Sequence, residues 1–82
     1  MPLREIKNGP KVIGIKQVKK AISKGLAKKV YIASDAEPHV IGPIKDLCRE
    51  NNVEFEIAGS MEVLGDICGI DVGSAAVALL NE

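Results

Sequence analysis

The chain has 82 residues, of which 46% are apolar and 27% charged, and this composition is that of one globular domain over residues 1–82 rather than a disordered segment. No apolar run approaches the roughly 18 residues of a membrane span, and the first residues lack the apolar segment of a signal peptide, so we expect a cytoplasmic protein with no membrane partner. Two cysteines are too few for a four-ligand zinc site, and neither a metal nor another cofactor is expected.

Positive and negative residues are segregated along the sequence, although the formal net charge is zero. Residues 1–30 contain nine Lys and Arg against one Glu, which gives +8, and residues 31–82 carry the balancing −8. A fold that keeps the early segments on one side would have a basic face that attracts polyanions. Ordinary solvated lysines remain the alternative interpretation of this pattern.

The first elements are a short strand and a basic amphipathic helix. LREIK at 3–7 is at most one short helical segment, because a turn at Asn8-Gly9-Pro10 follows it, and KVI at 11–13 favours a brief strand. The periodicity of GIKQVKKAISKG at 14–25 then predicts a helix that Gly25 ends. Its packing stripe is predicted to be Ile15, Val18, Ile22 and Leu26. A separate face contains Lys16, Gln17, Lys20 and Lys24, and a row of like charges on a helix favours an anionic partner.

The remaining chain alternates between strand and helix patterns. The apolar run VYIA at 30–33 predicts a central strand, and a helix is expected from about His39 to Asn51, with Gly42-Pro43 able to delay its regular part until residue 43. VEFEIA at 53–58 alternates and indicates a strand nearer an edge, with Phe55 and Ile57 on its dry face. Ser60 begins a helix that Gly69 ends, and SAAVALL at 74–80 favours a last strand over a helix. The fold class predicted is α/β, a three-layer α/β/α sandwich around a mixed sheet of about four strands.

The residue inventory disfavours an enzyme. Nucleotide-binding glycine motifs, a metalloprotease HExxH and a nucleophile elbow are all absent from the sequence. An acid or thiol enzyme would have to use His39 with Cys48 or Cys68, and would need those groups within hydrogen-bond reach in a cleft. Tyr31 and Phe55 are the only aromatic residues, which disfavours the RNA-binding folds built on aromatic platforms.

Three motifs, in the same order and spacing, give this chain a resemblance to a known family. They are GIKQVKKAISKG at 14–25, ASDAEP at 33–38 and LGDICGIDVGSAA at 64–76. Over nearly the whole chain the sequence resembles the ribosomal protein L7Ae/L30e superfamily, whose members bind kink-turns and related RNA internal loops, and its length is similar to that of the small bacterial members. The resemblance implies a non-catalytic protein that binds structured RNA, ribosome-associated or a ribosomal-protein-like factor.

The resemblance also implies which residues contact RNA. Gly14, Lys16, Gln17 and Lys20 match the positions that contact tandem sheared G·A pairs and the adjoining backbone, and Lys20 and Lys24 would hold phosphates. Many members have Asn-Glu where this chain has Lys16-Gln17, a departure that keeps hydrogen-bonding capacity and is similar to pairs in the L30e branch. The pocket for the flipped-out nucleotide, with the loop that covers it, matches Glu37, Ile41, Ile70, Asp71 and Val72.

A protein-interaction module on the same fold is the alternative function. Relatives of this fold serve as partners in protein complexes, and the acidic half that begins at Asp35 could be the docking face. A monomer is expected in either case, because the sequence leaves no long exposed apolar stripe unassigned.

Overall fold

A computed structural model describes residues 9–69 and 73–81 of the chain. Within these ranges four strands alternate with three helices, namely β1 Lys11–Ile13, α1 Ile15–Ser23, β2 Ala27–Ile32, α2 Pro38–Glu50, β3 Glu54–Ile57, α3 Met61–Cys68 and β4 Ala76–Leu80. The predicted strands at 11–13, 30–33, 53–58 and 74–80 are thereby confirmed. The short helical segment considered for residues 3–7 lies outside the described residues.

The four strands form one mixed sheet in the order β1-β4-β2-β3. Strand β4 is antiparallel to both β1 and β2, whereas β2 and β3 are parallel and are joined by the crossover helix α2. Strand β2 is therefore internal, as its continuous apolar run predicts, and β3 is an edge strand, as its alternation predicts. Helices α1 and α2 contact each other as well as the sheet, while α3 contacts β4. The predicted three-layer α/β/α fold around a mixed sheet is confirmed.

The core is built from β2, β4 and the apolar sides of the helices. Helix α1 contributes Val18 and Ile22, both fully buried, and Ile15 is half-buried, so this part of the predicted stripe is confirmed. Leu26 was wrongly assigned to the stripe, since it is 50% exposed. The reason is that α1 ends at Ser23 and the chain turns at Gly25, whose φ is +72°, before it reaches Leu26.

Ile57 is a second apolar residue that the sequence assigned to the wrong environment. The alternation of β3 predicts a buried side chain, but Ile57 is 49% exposed. It is the last residue of an edge strand, and β3 has only β2 as a described neighbour in the sheet. Alternation along a strand indicates on which face of the sheet a side chain lies. It does not indicate whether another part of the protein packs over that end of the strand.

The ends of the helices follow from local chemistry. Helix α2 begins at Pro38 rather than after Gly42-Pro43, because the amides of Val40 and Ile41 already donate to the Glu37 carbonyl at 2.9 and 3.2 Å. Pro43 is tolerated inside α2 at the loss of one backbone hydrogen bond. None of the helices in residues 9–69 and 73–81 is both long and apolar enough to span a bilayer.

Helix α3 has the start and the end that the sequence predicts. The Ser60 hydroxyl accepts a hydrogen bond from the Val63 amide at 3.2 Å, and Gly69 ends the helix with a φ of +74°. We expect Ser60→Ala to lower the free energy of unfolding by about 1 kcal/mol, because the Val63 amide loses its acceptor.

The measurement is urea unfolding followed by circular dichroism, with Ser23→Ala as the matched control. Ser23 is the exposed last residue of α1, and alanine there should leave stability unchanged or slightly higher. Equal losses in the two variants would contradict a capping role for Ser60.

Candidate nucleic-acid interface

The junction between β1 and α1 is a sharp turn at Gly14. Its amide donates to the Ala76 carbonyl at 3.0 Å, and its carbonyl accepts from the Val18 amide at 2.9 Å, so one residue ends the strand and begins the helix. Gly14 has φ +99° and ψ 154°, a backbone conformation that is essentially restricted to glycine. A Cβ at this position would meet no atom within 4 Å, so the requirement for glycine is conformational and the backbone there is open to approach.

The amino-terminal turn of α1 is left uncapped. Gly14 has no side chain to accept from the free amides, and the first turn contains no acidic residue. The first N–H groups of a helix have no partner within the helix, and the aligned peptide dipoles make this end electropositive. This turn therefore presents backbone donors to an anion or to a hydrogen-bond acceptor.

The polar face of α1 continues from that turn along the whole helix. Its four members are all exposed: Lys16, Gln17, Lys20 and Lys24. None of these three lysines forms an ion pair within residues 9–69 and 73–81. Lys24 is the C-cap residue, and its amide donates to the Lys20 carbonyl at 3.0 Å. The face predicted from the sequence is therefore present as a row of exposed charges from Lys16 to Lys24, about 12 Å long at 1.5 Å per residue.

The turn between β2 and α2 lies beside the start of α1. The Ala33 amide donates to the Ala75 carbonyl at 2.8 Å, and the neighbouring Ala76 carbonyl accepts from Gly14. Helix α2 begins at this turn, with Glu37 as its N-cap. Strand β4 thus brings together the segments that contain Gly14 and Glu37, which are far apart in the sequence.

Glu37 and Ile41 lie one helical turn apart but in different surroundings. The Glu37 carboxylate is exposed and lies 3.2 Å from the ring of His39, which is exposed too. Ile41 is only 8% exposed and belongs to the core. Glu37 is therefore accessible to a ligand, whereas Ile41 offers only a small exposed apolar area.

Met61, the first residue of α3, connects the turn after β2 with the segment before β4. Its amide donates to an Asp35 carboxylate oxygen at 2.8 Å, and its carbonyl accepts from the Ser74 amide at 3.0 Å. The Ser74 hydroxyl, which is buried, donates to the Ala76 carbonyl at 2.8 Å. Residues 73–74 are thus fixed at the same end of the sheet as Gly14. Ile70, Asp71 and Val72, which the resemblance includes in the site, lie outside the described residues.

The Asp35 contact is one that sequence reasoning missed. The sequence explains Asp35 as a turn former, whereas its carboxylate accepts from an amide 26 residues away in α3. Local patterns carry no signal for a hydrogen bond across that separation.

The charges outside α1 are partly neutralised. Lys29 forms an ion pair with Glu56 at 2.9 Å, and this hydrogen bond raises the pKa of the Lys29 ammonium. Glu54 and Glu56 belong to β3, at the opposite edge of the sheet from β1, and α1 contacts β4, β1 and β2. Within residues 9–69 and 73–81, the lysines without an ion pair are concentrated on α1, which agrees with a bipolar surface.

The surroundings of the two cysteines disfavour a reactive thiolate, and Cys48 also lies far from His39. Cys48 is fully buried, and it follows His39 by nine residues on the same helix, which corresponds to about 13 Å along the axis. Burial raises the pKa of the Cys48 thiol. Burial also raises the pKa of the half-buried Cys68 thiol, against the opposing effect of Lys11. Both thiols are shifted away from the reactive thiolate form.

Comparison with known proteins gives similarity over most of the chain. A model of the ribosomal protein L7Ae/L30e/S12e/Gadd45 family matches residues 4–82. An RNA-binding protein of Caldanaerobacter subterraneus is 44% identical over 68 residues, which is 83% of each chain. The RNA-binding protein YbxF of Geobacillus stearothermophilus is 41% identical over 73 residues, which is 89% of each chain.

Solved structures resemble the fold at lower sequence identity. A 15.5 kD RNA binding protein of Giardia lamblia superposes with a TM-score of 0.92 at 24% identity, over 99% of this chain and 72% of that one. A protein of unknown function from Bacillus halodurans has a TM-score of 0.81 at 23% identity, over 96% of this chain and 76% of that one. These structures establish the fold.

Substitution of Gly14 tests the backbone requirement at the start of α1. We expect Gly14→Ala to lower the free energy of unfolding by about 1 to 3 kcal/mol, because alanine rarely adopts a φ of +99°. The matched control is Gly25→Asn, at a φ of +72°, where asparagine is tolerated and the loss should stay below about 1 kcal/mol. Urea unfolding of the two variants measures both effects, and a neutral Gly14→Ala would refute the strain argument.

Alkylation tests the environment of the thiols. In the folded protein N-ethylmaleimide should modify Cys68 before Cys48, and neither faster than a free cysteine, because burial keeps both protonated. Mass spectrometry of timed samples gives the two rates. His39→Ala should leave both alkylation rates unchanged. A large decrease in either rate would show that His39 activates that thiol and would support the thiol-enzyme alternative.

Proposed function

The chain belongs to the ribosomal protein L7Ae/L30e/S12e/Gadd45 family, and on this basis we propose that it is a non-catalytic RNA-binding protein specific for a kink-turn or a related internal loop. The RNA recognised would contain tandem sheared G·A pairs and a flipped-out nucleotide. The observation that supports this proposal most directly is the uncapped start of α1 at Gly14. It is followed by the exposed Lys16, Gln17 and Lys20, whose two ammonium groups have no ion-pair partner among the described residues.

The proposed readout separates base contacts from phosphate contacts along α1. At its start, Lys16 would donate to guanine O6 and N7, and the Gln17 amide would both donate and accept at a base edge. The free amides of the first turn would bind the adjoining backbone. Farther along the helix, Lys20 and Lys24 would bind phosphates, which position the protein without reading sequence.

The flipped-out nucleotide would bind at the start of α2, where the resemblance also assigns residues 70–72. Glu37 is an exposed acceptor, so its carboxylate suits the N–H groups on a base edge, and Ile41 offers a small apolar floor. Ile70, Asp71 and Val72 are assigned to the cover of this pocket from the resemblance alone. Unstacked bases in loops are the usual targets of structure-specific RNA recognition.

In this proposal the protein acts as a cytoplasmic monomer, one domain over residues 1–82, on ribosomal RNA or on another structured RNA. Its effect would be to stabilise the kinked fold. A kinked RNA brings two phosphate backbones close together, and these repel each other. The exposed lysines along α1 would lower that repulsion by placing positive charge next to both backbones.

A protein-interaction module is the second candidate. Ile57 and Val63 support it, because these apolar side chains are 49% and 39% exposed. A pull-down with and without nuclease separates the two functions, since a direct protein partner stays bound after RNA is removed.

The principal test is a titration at two salt concentrations, against a kink-turn RNA and a twin whose sheared pairs are replaced by Watson–Crick pairs. The wild type should prefer the intact RNA at both concentrations. Lys16→Ala and Gln17→Ala should each weaken binding to the intact RNA by about 5- to 150-fold, the equivalent of 1 to 3 kcal/mol per base contact, and affect the twin much less.

Lys24→Ala is the control for a phosphate contact. It should weaken binding to both RNAs equally and reduce the slope of log affinity against log salt by about 1. If all three variants lose affinity equally for both RNAs, α1 is a general polyanion surface and direct readout is excluded.

A further inference from the structure

A concave surface lies beside the carboxyl-terminal half of α1, and we name it the α1 hollow. It has a volume of about 230 Å³. Four aliphatic residues line it, and we call them its floor: Val12, Ala21, Leu26 and Leu80. Three polar residues also line it, and we call them its rim: Gln17, Lys20 and Lys24. The hollow is distinct from the end of the sheet where Gly14 and Glu37 lie, but it shares its rim with the polar face of α1.

Backbone hydrogen bonds fix the exposed part of the floor. The Leu26 amide donates to the Ala21 carbonyl at 2.9 Å, and the Leu26 carbonyl accepts from the Asn81 amide at 2.8 Å. The Leu80 amide donates to the Pro10 carbonyl at 3.0 Å. The backbone of Leu26 is therefore fixed at both its amide and its carbonyl, while its side chain stays half-exposed. The floor of the hollow is formed before a ligand binds. A preformed site binds without the entropy cost of ordering a loop.

The chemistry of the hollow suits an amphipathic anion with a small flat body. The Lys20 and Lys24 ammonium groups have no ion-pair partner among the described residues, and both lie at the rim of an apolar floor. A volume of about 230 Å³ is below the roughly 300 to 1,000 Å³ of sites for whole small molecules. A nucleobase, whose attached phosphate can reach the rim, fits these conditions.

We propose that the α1 hollow binds one unpaired nucleotide of the RNA, outside the internal loop read at the start of α1. The base lies on Leu26 and Leu80, and its phosphate lies between Lys20 and Lys24. This inference rests on the proposed function, since the occupant belongs to the same RNA. Gly14 and Lys24 are about 15 Å apart along α1, so a strand that leaves the first site along this face reaches the hollow.

The test compares kink-turn RNAs that differ only in a short single-stranded extension of the stem nearest the end of α1. One extension carries bases, and the other is abasic with the same number of phosphates, so that general attraction to lysines cancels. We expect the wild type to bind the base-bearing RNA about fivefold more tightly than the abasic RNA. The ratio is modest because a base gains less from contact with aliphatic side chains than from stacking on an aromatic ring. Leu26→Ser should reduce this ratio to about one and leave the affinity for the abasic RNA unchanged.

Two further variants make the result specific. Val63→Ser removes an exposed apolar side chain of similar accessibility from α3, and it should keep the wild-type ratio. Leu26→Phe should raise the ratio by about fivefold or more, because a base stacks on an aromatic ring. Circular dichroism checks that every variant is folded, which is expected because both positions are exposed.

A wild-type ratio near one, or a ratio that Leu26→Ser leaves intact, would overturn the proposal. Its failure can be told apart from failure of the proposed function. Equal binding of the intact RNA and its Watson–Crick twin would refute the proposed function, whereas the ratio of base-bearing to abasic RNA is measured separately and reports on the hollow alone.

Discussion

The backbone hydrogen bonds at the start of β4 are the constraint on which the candidate interface depends. Two consecutive carbonyls, of Ala75 and Ala76, accept from Ala33 and Gly14 at 2.8 and 3.0 Å. One pair of peptide units thus joins the end of β1 to the end of β2, and with them the starts of α1 and α2. Because the strand ladder sets these positions, the relative placement of the two helix starts does not depend on flexible side chains.

A second layer of hydrogen bonds extends this end of the sheet to α3. Met61 uses its amide for Asp35 and its carbonyl for Ser74, so both polar groups of one residue hold neighbouring segments. Gly73 packs so closely that a Cβ there would lie 3.0 Å from the Met61 Cβ. The segments on either side of Met61 are therefore held as one unit, and a ligand at this end meets a surface with little freedom to rearrange.

Much of the fold could be predicted from the sequence, because its signals are local. The 3.6-residue period of α1, the continuous apolar run of β2 and the Ser60 cap each report on a few adjacent residues. Two predictions were wrong for different reasons. Leu26 lies beyond the end of α1, so the helical period no longer applies to it, and Ile57 lies at the end of an edge strand, where alternation does not say whether the face is covered. The Asp35 contact with α3 and the α1 hollow could not be predicted, since both are made by residues that only the folded chain brings together.

The row of lysines on α1 costs the folded protein some stability, and binding of a polyanion would offset that cost. Lys29 is paired with Glu56, yet Lys16, Lys20 and Lys24 face solvent with no ion-pair partner in the described residues, although like charges at this spacing destabilise a helix. The chain contains enough acidic residues to neutralise them, since its net charge is zero. Its acids are instead concentrated after residue 30, at positions that include the opposite sheet edge. The molecule therefore keeps a small electrostatic strain on α1, and a polyanion that binds along this face would relieve it.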